Sequence, residues 1–131
     1  MIGIDTNILV RHLTQDDPIQ SPRATRIIEH VLTEENPGFV SLLTIAETVW
    51  VLRKSFDMSD EAIAAILEQI LQTETLFIQN EREVFTAMFT FKSGAASFDD
   101  ALIGALGRWA GCSHTLTFDR KAARLRDFRL G

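Results

Sequence analysis

The chain has 131 residues, carries a formal net charge of −5 and contains one cysteine, Cys112. This length fits one domain that buries roughly two thirds of its unfolded surface. A single cysteine excludes both an internal disulfide framework and a cysteine-rich zinc site. Residues 1–5 lack the basic start and apolar core of a signal peptide, and no apolar stretch reaches about 18 residues. We therefore expect a single domain over residues 1–131, located in the cytoplasm and not inserted in a membrane.

The net charge argues against a protein that binds nucleic acid through a broad basic surface. Divalent ions held by carboxylates would neutralise much of the negative excess and leave the surface close to balanced. The C-terminal end is locally basic, and this basic segment comprises Arg120, Lys121, Arg124, Arg126 and Arg129. It could contact phosphates, and a solvated helix face explains it equally well.

In the first half of the chain, apolar runs of strand length alternate with helical patterns. Asn7 is placed to cap the first helix or to orient Asp5, and Ser21 before Pro22 predicts the start of the second. A further helix from Thr44 would carry Glu47 in its first turn. In chain order, the predicted elements are strand Met1–Asp5, helix Asn7–Leu13, helix Pro22–Glu34, strand Phe39–Leu42 and the helix from Thr44. The first strand is expected to be buried on both faces.

The second half continues the alternation, which predicts an α/β fold with a mostly parallel sheet flanked by helices. Ser59 and Ser97 are predicted helix caps, and Asn80 with Glu83 is predicted to form a capping box. The aromatic residues from Phe85 to Phe91 are interpreted as core or helix-pair packing and not as a platform for stacking bases. The remaining elements are the helices that start at Ser59 and Asn80, strand Thr75–Gln79, helix Asp100–Ala110, strand His114–Phe118, helix Arg120–Leu125 and strand Phe128–Leu130. Gly104 and Gly107 predict close approach of another backbone.

Four carboxylates stand where ligands bind in open α/β sheets, at the carboxyl ends of strands. Asp5 and Asp119 follow strands, while Glu47 and Asp100 lie early in helices that start from the same edge. Four like charges in one pocket repel each other unless a cation binds between them. Ligands that are all oxygen suit Mg²⁺ or Mn²⁺, so we predict one or two such ions. Ions of this kind typically serve phosphate chemistry, here the hydrolysis of a phosphodiester.

The segments that carry these acids also resemble a known family. They are Asp5-Thr6-Asn7 after an apolar strand, Glu47 within Thr44–Leu52, Asp100 within Phe98–Ile103, and Thr117-Phe118-Asp119. In this order they are similar to a PIN domain and, more narrowly, to the VapC-type ribonuclease toxins of toxin-antitoxin modules. The resemblance covers the whole chain. It implies a three-layer α/β/α sandwich with a mostly parallel central sheet.

The resemblance further implies a metal-dependent endoribonuclease that holds Mg²⁺ or Mn²⁺ with Asp5, Glu47, Asp100 and Asp119. Family knowledge suggests that Thr6, Asn7 and Thr117 support these carboxylates through hydrogen bonds. It also implies an RNA substrate, a homodimer, and neutralisation by a cognate antitoxin protein. Neither composition nor periodicity indicates these partners.

Asp99 precedes the third acidic position and makes a doublet with Asp100. Neighbouring helical side chains point about 100° apart, so the two cannot readily bind the same ion. We assign the metal role to Asp100, which directly precedes Ala-Leu-Ile, and interpret Asp99 as a cap or a solvated charge. An auxiliary role for Asp99 at the rim of the pocket stays open.

Among the basic side chains, Arg11, Arg108 and Arg120 are the candidates for contact with RNA phosphates. Ion pairs with the many acidic residues explain them equally well. The three histidines are given structural or solvent roles, because His12 and His30 lie on predicted helix surfaces. His114 stands at the start of a strand, opposite the predicted site.

Other classes of protein also gather acidic residues around a cation. A response-regulator receiver would need a later lysine at a strand end, which the chain lacks. A haloacid-dehalogenase-type phosphatase would need an aspartate at position 7, which is Asn7. The rival that stays open is a noncatalytic PIN-like module that binds RNA or protein. The presence of all four acids counts against it.

Overall fold

All five strands of the chain pair in parallel. The computed structural model describes residues 1–131 and divides into unit 1, Met1–Gln79, and unit 2, Asn80–Gly131. Unit 1 contains a three-stranded sheet and unit 2 a two-stranded sheet. Parallel strands joined through helices define the α/β class, so the predicted class and strand direction are confirmed.

Unit 1 places its three strands in the order β1-β2-β3 with helices between them. The helices follow the apolar periodicity of the sequence, and Ile45, Leu52, Ile63 and Leu67 are almost completely buried in its core. The elements are β1 Ile2–Gly3, α1 Thr6–Thr14, α2 Gln20–Arg26 with a π-helical turn Ile27–Val31, β2 Gly38–Val40, α3 Leu42–Lys54, α4 Asp60–Leu71 and β3 Leu76–Ile78.

The start of unit 1 differs from the prediction in two respects. Strand β1 is not buried on both faces, because its two residues, Ile2 and Gly3, point to opposite faces and are both exposed. The cap of α1 is Asp5 and not Asn7, since Oδ1 of Asp5 accepts a hydrogen bond of 2.7 Å from the backbone N–H of Thr6. The helix therefore starts one residue earlier than its predicted bound.

Two other helix starts in unit 1 also lie upstream of their predicted positions. Helix α2 starts at Gln20, and its first N–H groups are bound by Asp17, whose Oδ1 accepts from Ile19 at 2.9 Å and Gln20 at 2.7 Å. These hydrogen bonds lower the pKa of Asp17 because they stabilise the charged carboxylate, and the bond from Gln20 has the largest effect. Ser21 is buried inside the helix and is not its cap.

Helix α3 starts at Leu42, because Oγ of Ser41 accepts a hydrogen bond of 3.1 Å from the N–H of Thr44. The prediction that Glu47 lies in the first turn was therefore wrong, and Glu47 lies in the second turn. The cap that the sequence predicted at Ser59 is confirmed, since its Oγ accepts from the N–H of Ala62 at 3.2 Å.

Unit 2 is built on the pairing of two long helices. Phe91 and Phe98 meet edge to face, with ring centroids 6.2 Å apart, a favourable arrangement for aromatic rings. Ser97 caps the second helix as predicted, and Oγ of Ser97 accepts from the N–H of Asp100 at 3.2 Å. The elements are α5 Glu81–Lys92, α6 Phe98–Trp109, β4 Thr115–Thr117, a 3₁₀ turn Ala122–Arg124 in place of the predicted helix, and β5 Phe128–Leu130.

Helix α5 buries only one stripe, and two of its aromatic side chains lie outside that stripe. Phe85 and Phe89 are exposed, the latter by 66%, so the interpretation as core or helix-pair packing was wrong for these two and holds for the buried Phe91. They are four residues apart and share a face that unit 2 leaves open. The capping box was also wrong, because Asn80 adopts a left-handed backbone and its side chain donates to Oε1 of Glu83 instead.

Gly104 allows the ring of Phe128 to lie directly against α6. A Cβ atom at this position would be 2.7 Å from Cε2 of Phe128, whose side chain is buried. We expect Gly104→Ala to lower the free energy of unfolding by about 1 kcal/mol, since overpacking costs more than the alanine gains in helix propensity. Urea denaturation followed by circular dichroism measures this change. An unchanged or higher stability would mean that the ring of Phe128 shifts at little cost.

Candidate metal centre

An open cavity of about 560 Å³ in unit 1 brings together two of the four predicted ligands. Asp5 at the start of α1 and Glu47 on α3 both line it, because helices α1 and α3 pack against each other. Asp16 contributes a third carboxylate to its wall. We refer to this space, with its three acids, as the acidic cavity.

The carboxylates of Asp5 and Glu47 both retain oxygens that accept no hydrogen bond within the chain. Asp5 uses Oδ1 to accept from the N–H of Thr6, which leaves Oδ2 without a partner. Glu47 is exposed and makes neither a hydrogen bond nor an ion pair. The position of Asp5 at a helix N-terminus also stabilises its negative charge. Both side chains can therefore offer an oxygen to a cation.

The predicted supporting residues Thr6 and Asn7 line the same cavity. Thr6 holds Asp5 through its backbone N–H, while its own Oγ1 is buried and makes no hydrogen bond. Leaving a buried hydroxyl without a partner costs about 1–3 kcal/mol. Asn7 is exposed at the cavity wall.

Asp16 is a residue of this cavity that the sequence interpretation missed. Its Oδ2 forms an ion pair with Nη1 of Arg11, and Nε of Arg11 donates to Oε1 of Gln20 at 3.0 Å. The available signal was an aspartate five residues beyond Arg11, close to the end of the same predicted helix. Arg11 lies on the wall of the cavity with its guanidinium held on two sides.

Unit 2 places Asp100 in α6 and Asp119 in the loop two residues after β4, a strand that packs against α6. Asp100 lies in the first turn of α6, half-buried, and its carboxylate has no hydrogen-bond partner. Asp119 uses Oδ1 to accept from the N–H groups of Lys121 at 2.8 Å and Ala122 at 3.1 Å. Thr117 fixes the backbone of Asp119, since its Oγ1 accepts the N–H of Asp119 at 3.0 Å.

The chemistry of these donors fits a hard divalent cation. Neither unit by itself gathers three acidic, histidine or cysteine side chains close enough to hold one ion. The predicted ligands are two carboxylates in each unit, every one with an oxygen left free. Donors that are all oxygen suit Mg²⁺ or Mn²⁺.

The other two candidates for contact with RNA phosphates, Arg108 and Arg120, differ in whether they already form an ion pair within the chain. Nη1 of Arg108 lies 3.5 Å from Oδ1 of Asp127, whereas Arg120 is exposed and has no ion-pair partner. His30 and His114 are exposed, as expected of solvent-facing side chains. His12 is half-buried, and its Nδ1 lies 2.9 Å from Oγ1 of Thr25.

Burial lowers the pKa of His12, and nearby Glu29 opposes this effect only in part. The fold therefore favours neutral imidazole, which can accept the hydroxyl proton of Thr25 while Gln15 donates to that oxygen. The neutral imidazole therefore contributes to the stability of the fold above pH 6.5, the ordinary pKa of histidine. This contribution is lost as the pH falls from 6.5 through the lower pKa that His12 has in the folded protein. We expect the unfolding free energy to decrease more between pH 7 and about 5 for the natural chain than for His12→Gln. Parallel pH profiles from urea denaturation would contradict this prediction.

The family of the chain follows from comparison with known proteins. The model of the PIN domain family matches residues 2–127. The chain belongs to this family. PIN domains are α/β proteins and are generally metal-dependent nucleases, and the match runs through both units and all four carboxylates. No curated protein matches the chain, and none of its helices is long and apolar enough to span a bilayer.

Proposed function

We propose that this PIN domain is a metal-dependent endoribonuclease, the VapC-type toxin of a toxin-antitoxin pair. Asp5, Glu47, Asp100 and Asp119 are its proposed ligands for one or two Mg²⁺ or Mn²⁺ ions. The observation that carries the proposal is the acidic cavity, in which Asp5 and Glu47 offer unpartnered oxygens in a member of a nuclease family. Residues 1–131 would act as one domain in the cytoplasm.

A bound divalent ion would supply an activated water and would neutralise charge on the reacting phosphodiester. The residues of the chain would orient the carboxylates that hold this ion. The backbone N–H of Thr6 orients Asp5, and Thr117 with the first N–H groups of the 3₁₀ turn orients Asp119. Arg11 is held by Asp16 and Gln20 at the wall of the acidic cavity, where its remaining N–H groups can bind a phosphate oxygen.

The proposed partners are an RNA substrate, a cognate antitoxin and a second copy of the chain. Each unit carries large apolar side chains at its surface, among them Trp50 at 60% exposure and Phe89 at 66%. Exposed apolar groups of this size support protein contact. Arg108 and Arg120 are proposed to contact RNA phosphates along with Arg11.

One observation favours a second candidate, a noncatalytic PIN-like module that binds RNA or protein. Each unit exposes large apolar side chains, such as Trp50 and Phe89, which suit the binding of a protein partner and need no metal ion. Such a module would bind its partner without metal-dependent turnover, so assays of cleavage and of RNA binding separate the two candidates.

The test is cleavage of total RNA by the purified protein, without antitoxin, in Mn²⁺ or Mg²⁺. We expect cutting at discrete sites that stops when EDTA removes the ion. Cutting that survives EDTA would contradict a metal-dependent mechanism. Absence of cutting by a folded protein that binds Mn²⁺ would favour the noncatalytic module.

A further inference from the structure

Unit 1 has a second cavity, of about 190 Å³, between helices α1 and α2. Its polar lining consists of Asn7, Arg11, Gln20 and Arg23, and the rest of the lining is apolar. It contains two guanidinium groups and no carboxylate. We refer to it as the basic cavity.

The basic cavity adjoins the acidic cavity. Asn7 and Arg11 line both of them and lie four residues apart, about 6 Å along α1. The acidic cavity on one side of Asn7 and Arg11 is therefore lined by three carboxylates, and the basic cavity on the other side is lined by none. A ligand that extends across Asn7 and Arg11 would meet cation-binding groups first and anion-binding groups next.

The two arginines of the basic cavity differ in their partners. Arg11 is fixed by Asp16 and Gln20 through Nη1 and Nε, which leaves its other N–H donors available. Arg23 is exposed and makes neither a hydrogen bond nor an ion pair within the chain. A free guanidinium beside a fixed one, with no acid in the lining, selects an anion with several acceptor oxygens, and phosphate matches that geometry.

We propose that the basic cavity binds a backbone phosphate of the RNA strand, next to the phosphodiester that is cleaved at the acidic cavity. Arg23 is the principal ligand and Arg11 the oriented second one. The volume equals that of about six water molecules, which suits a phosphate with part of its ribose. This inference rests on the proposed ribonuclease function and names the part of the chain that positions its substrate.

The test measures the affinity for a fluorescent single-stranded RNA in EDTA, at several salt concentrations, so that no strand is cut. The variants are Arg23→Gln, Arg23→Lys and the matched control Arg26→Gln. Arg26 is also exposed on α2 and has no partner, but it does not line the cavity. Because both arginines lie at the surface, circular dichroism should show an unchanged fold for all three variants.

We expect Arg23→Gln to weaken binding about tenfold and to reduce the slope of log affinity against log salt by roughly 0.7. Arg23→Lys keeps the charge and should retain the slope, while Arg26→Gln should stay within about twofold of the natural chain. Equal effects of Arg23→Gln and Arg26→Gln, or no RNA binding by the natural chain, would overturn the proposal.

A parallel cleavage assay in Mn²⁺ separates this inference from the proposed function. Loss of affinity that is specific to Arg23→Gln, in a protein that cuts no RNA, would support the basic cavity and refute the ribonuclease. Cleavage by the natural chain with an unchanged KM for Arg23→Gln would refute the basic cavity and leave the ribonuclease standing.

Discussion

Asp5→Asn is expected to reduce metal-dependent RNA cleavage at least about a hundredfold while leaving the fold intact. The substitution removes a ligand charge with little change of volume. Asparagine is also as good a helix cap as aspartate. Its side-chain oxygen can therefore still accept the hydrogen bond from the N–H of Thr6, which Asp5 accepts at 2.7 Å in the natural chain. Cleavage rates in Mn²⁺ and urea denaturation measure the two properties separately.

The matched variant Asp5→Ala tests whether any loss of activity comes from the metal site or from the helix cap. Alanine cannot cap α1, so it should lower the free energy of unfolding by about 1 kcal/mol beyond Asp5→Asn. Both variants should be inactive. Retained cleavage in Asp5→Asn with Mn²⁺ present would remove Asp5 from the mechanism.

The acidic doublet gives the second large effect. Asp99 and Asp100 both lie in the first turn of α6, but Asp99 is exposed whereas Asp100 is half-buried with an unpartnered carboxylate. Their side chains point about 100° apart. We expect Asp100→Asn to lose at least about a hundredfold in cleavage and Asp99→Asn to stay within about threefold of the natural rate.

The pair also serves as its own control for stability. Each substitution removes one negative charge from the same helix N-terminus, so both should cost a similar few tenths of a kcal/mol. A difference in activity without a difference in stability identifies the ligand. The reverse order of activities would mean that the acidic motif is assigned one residue too late, and two active variants would exclude Asp100 as a ligand.

Local signals predicted the secondary structure well where the chemistry is contained in a few neighbouring residues. Ser59 and Ser97 cap their helices as predicted, since a hydroxyl followed by acidic residues and an apolar stripe needs no distant partner. The cap at Asp5 was missed because Asp5 and Asn7 are both good caps, and the pattern does not choose between them. At α2, Asp17 competes with Ser21 in the same way.

For the candidate site, the sequence indicated the residues but not their surroundings. Asp5 and Glu47 could be selected from motif position, and they line one cavity. Asp16 was missed, because an aspartate five residues beyond Arg11 is a weak signal and its importance lies in its contact with Arg11 in a cavity formed by separate helices. The free guanidinium of Arg23 likewise has no signature in the sequence.

The sequence by itself determined the α/β class, the family and the helix caps at Ser59 and Ser97, and it singled out the four candidate carboxylates, because periodicity and motifs are properties of neighbouring residues. Only the tertiary structure decided that Phe85 and Phe89 are exposed, that Arg11 is paired, and that an acidic cavity adjoins a basic one. The physical reason is that a helical stripe specifies which face can be buried. The helices that cover that face, and the cavities left between them, depend on contacts between residues far apart in the chain.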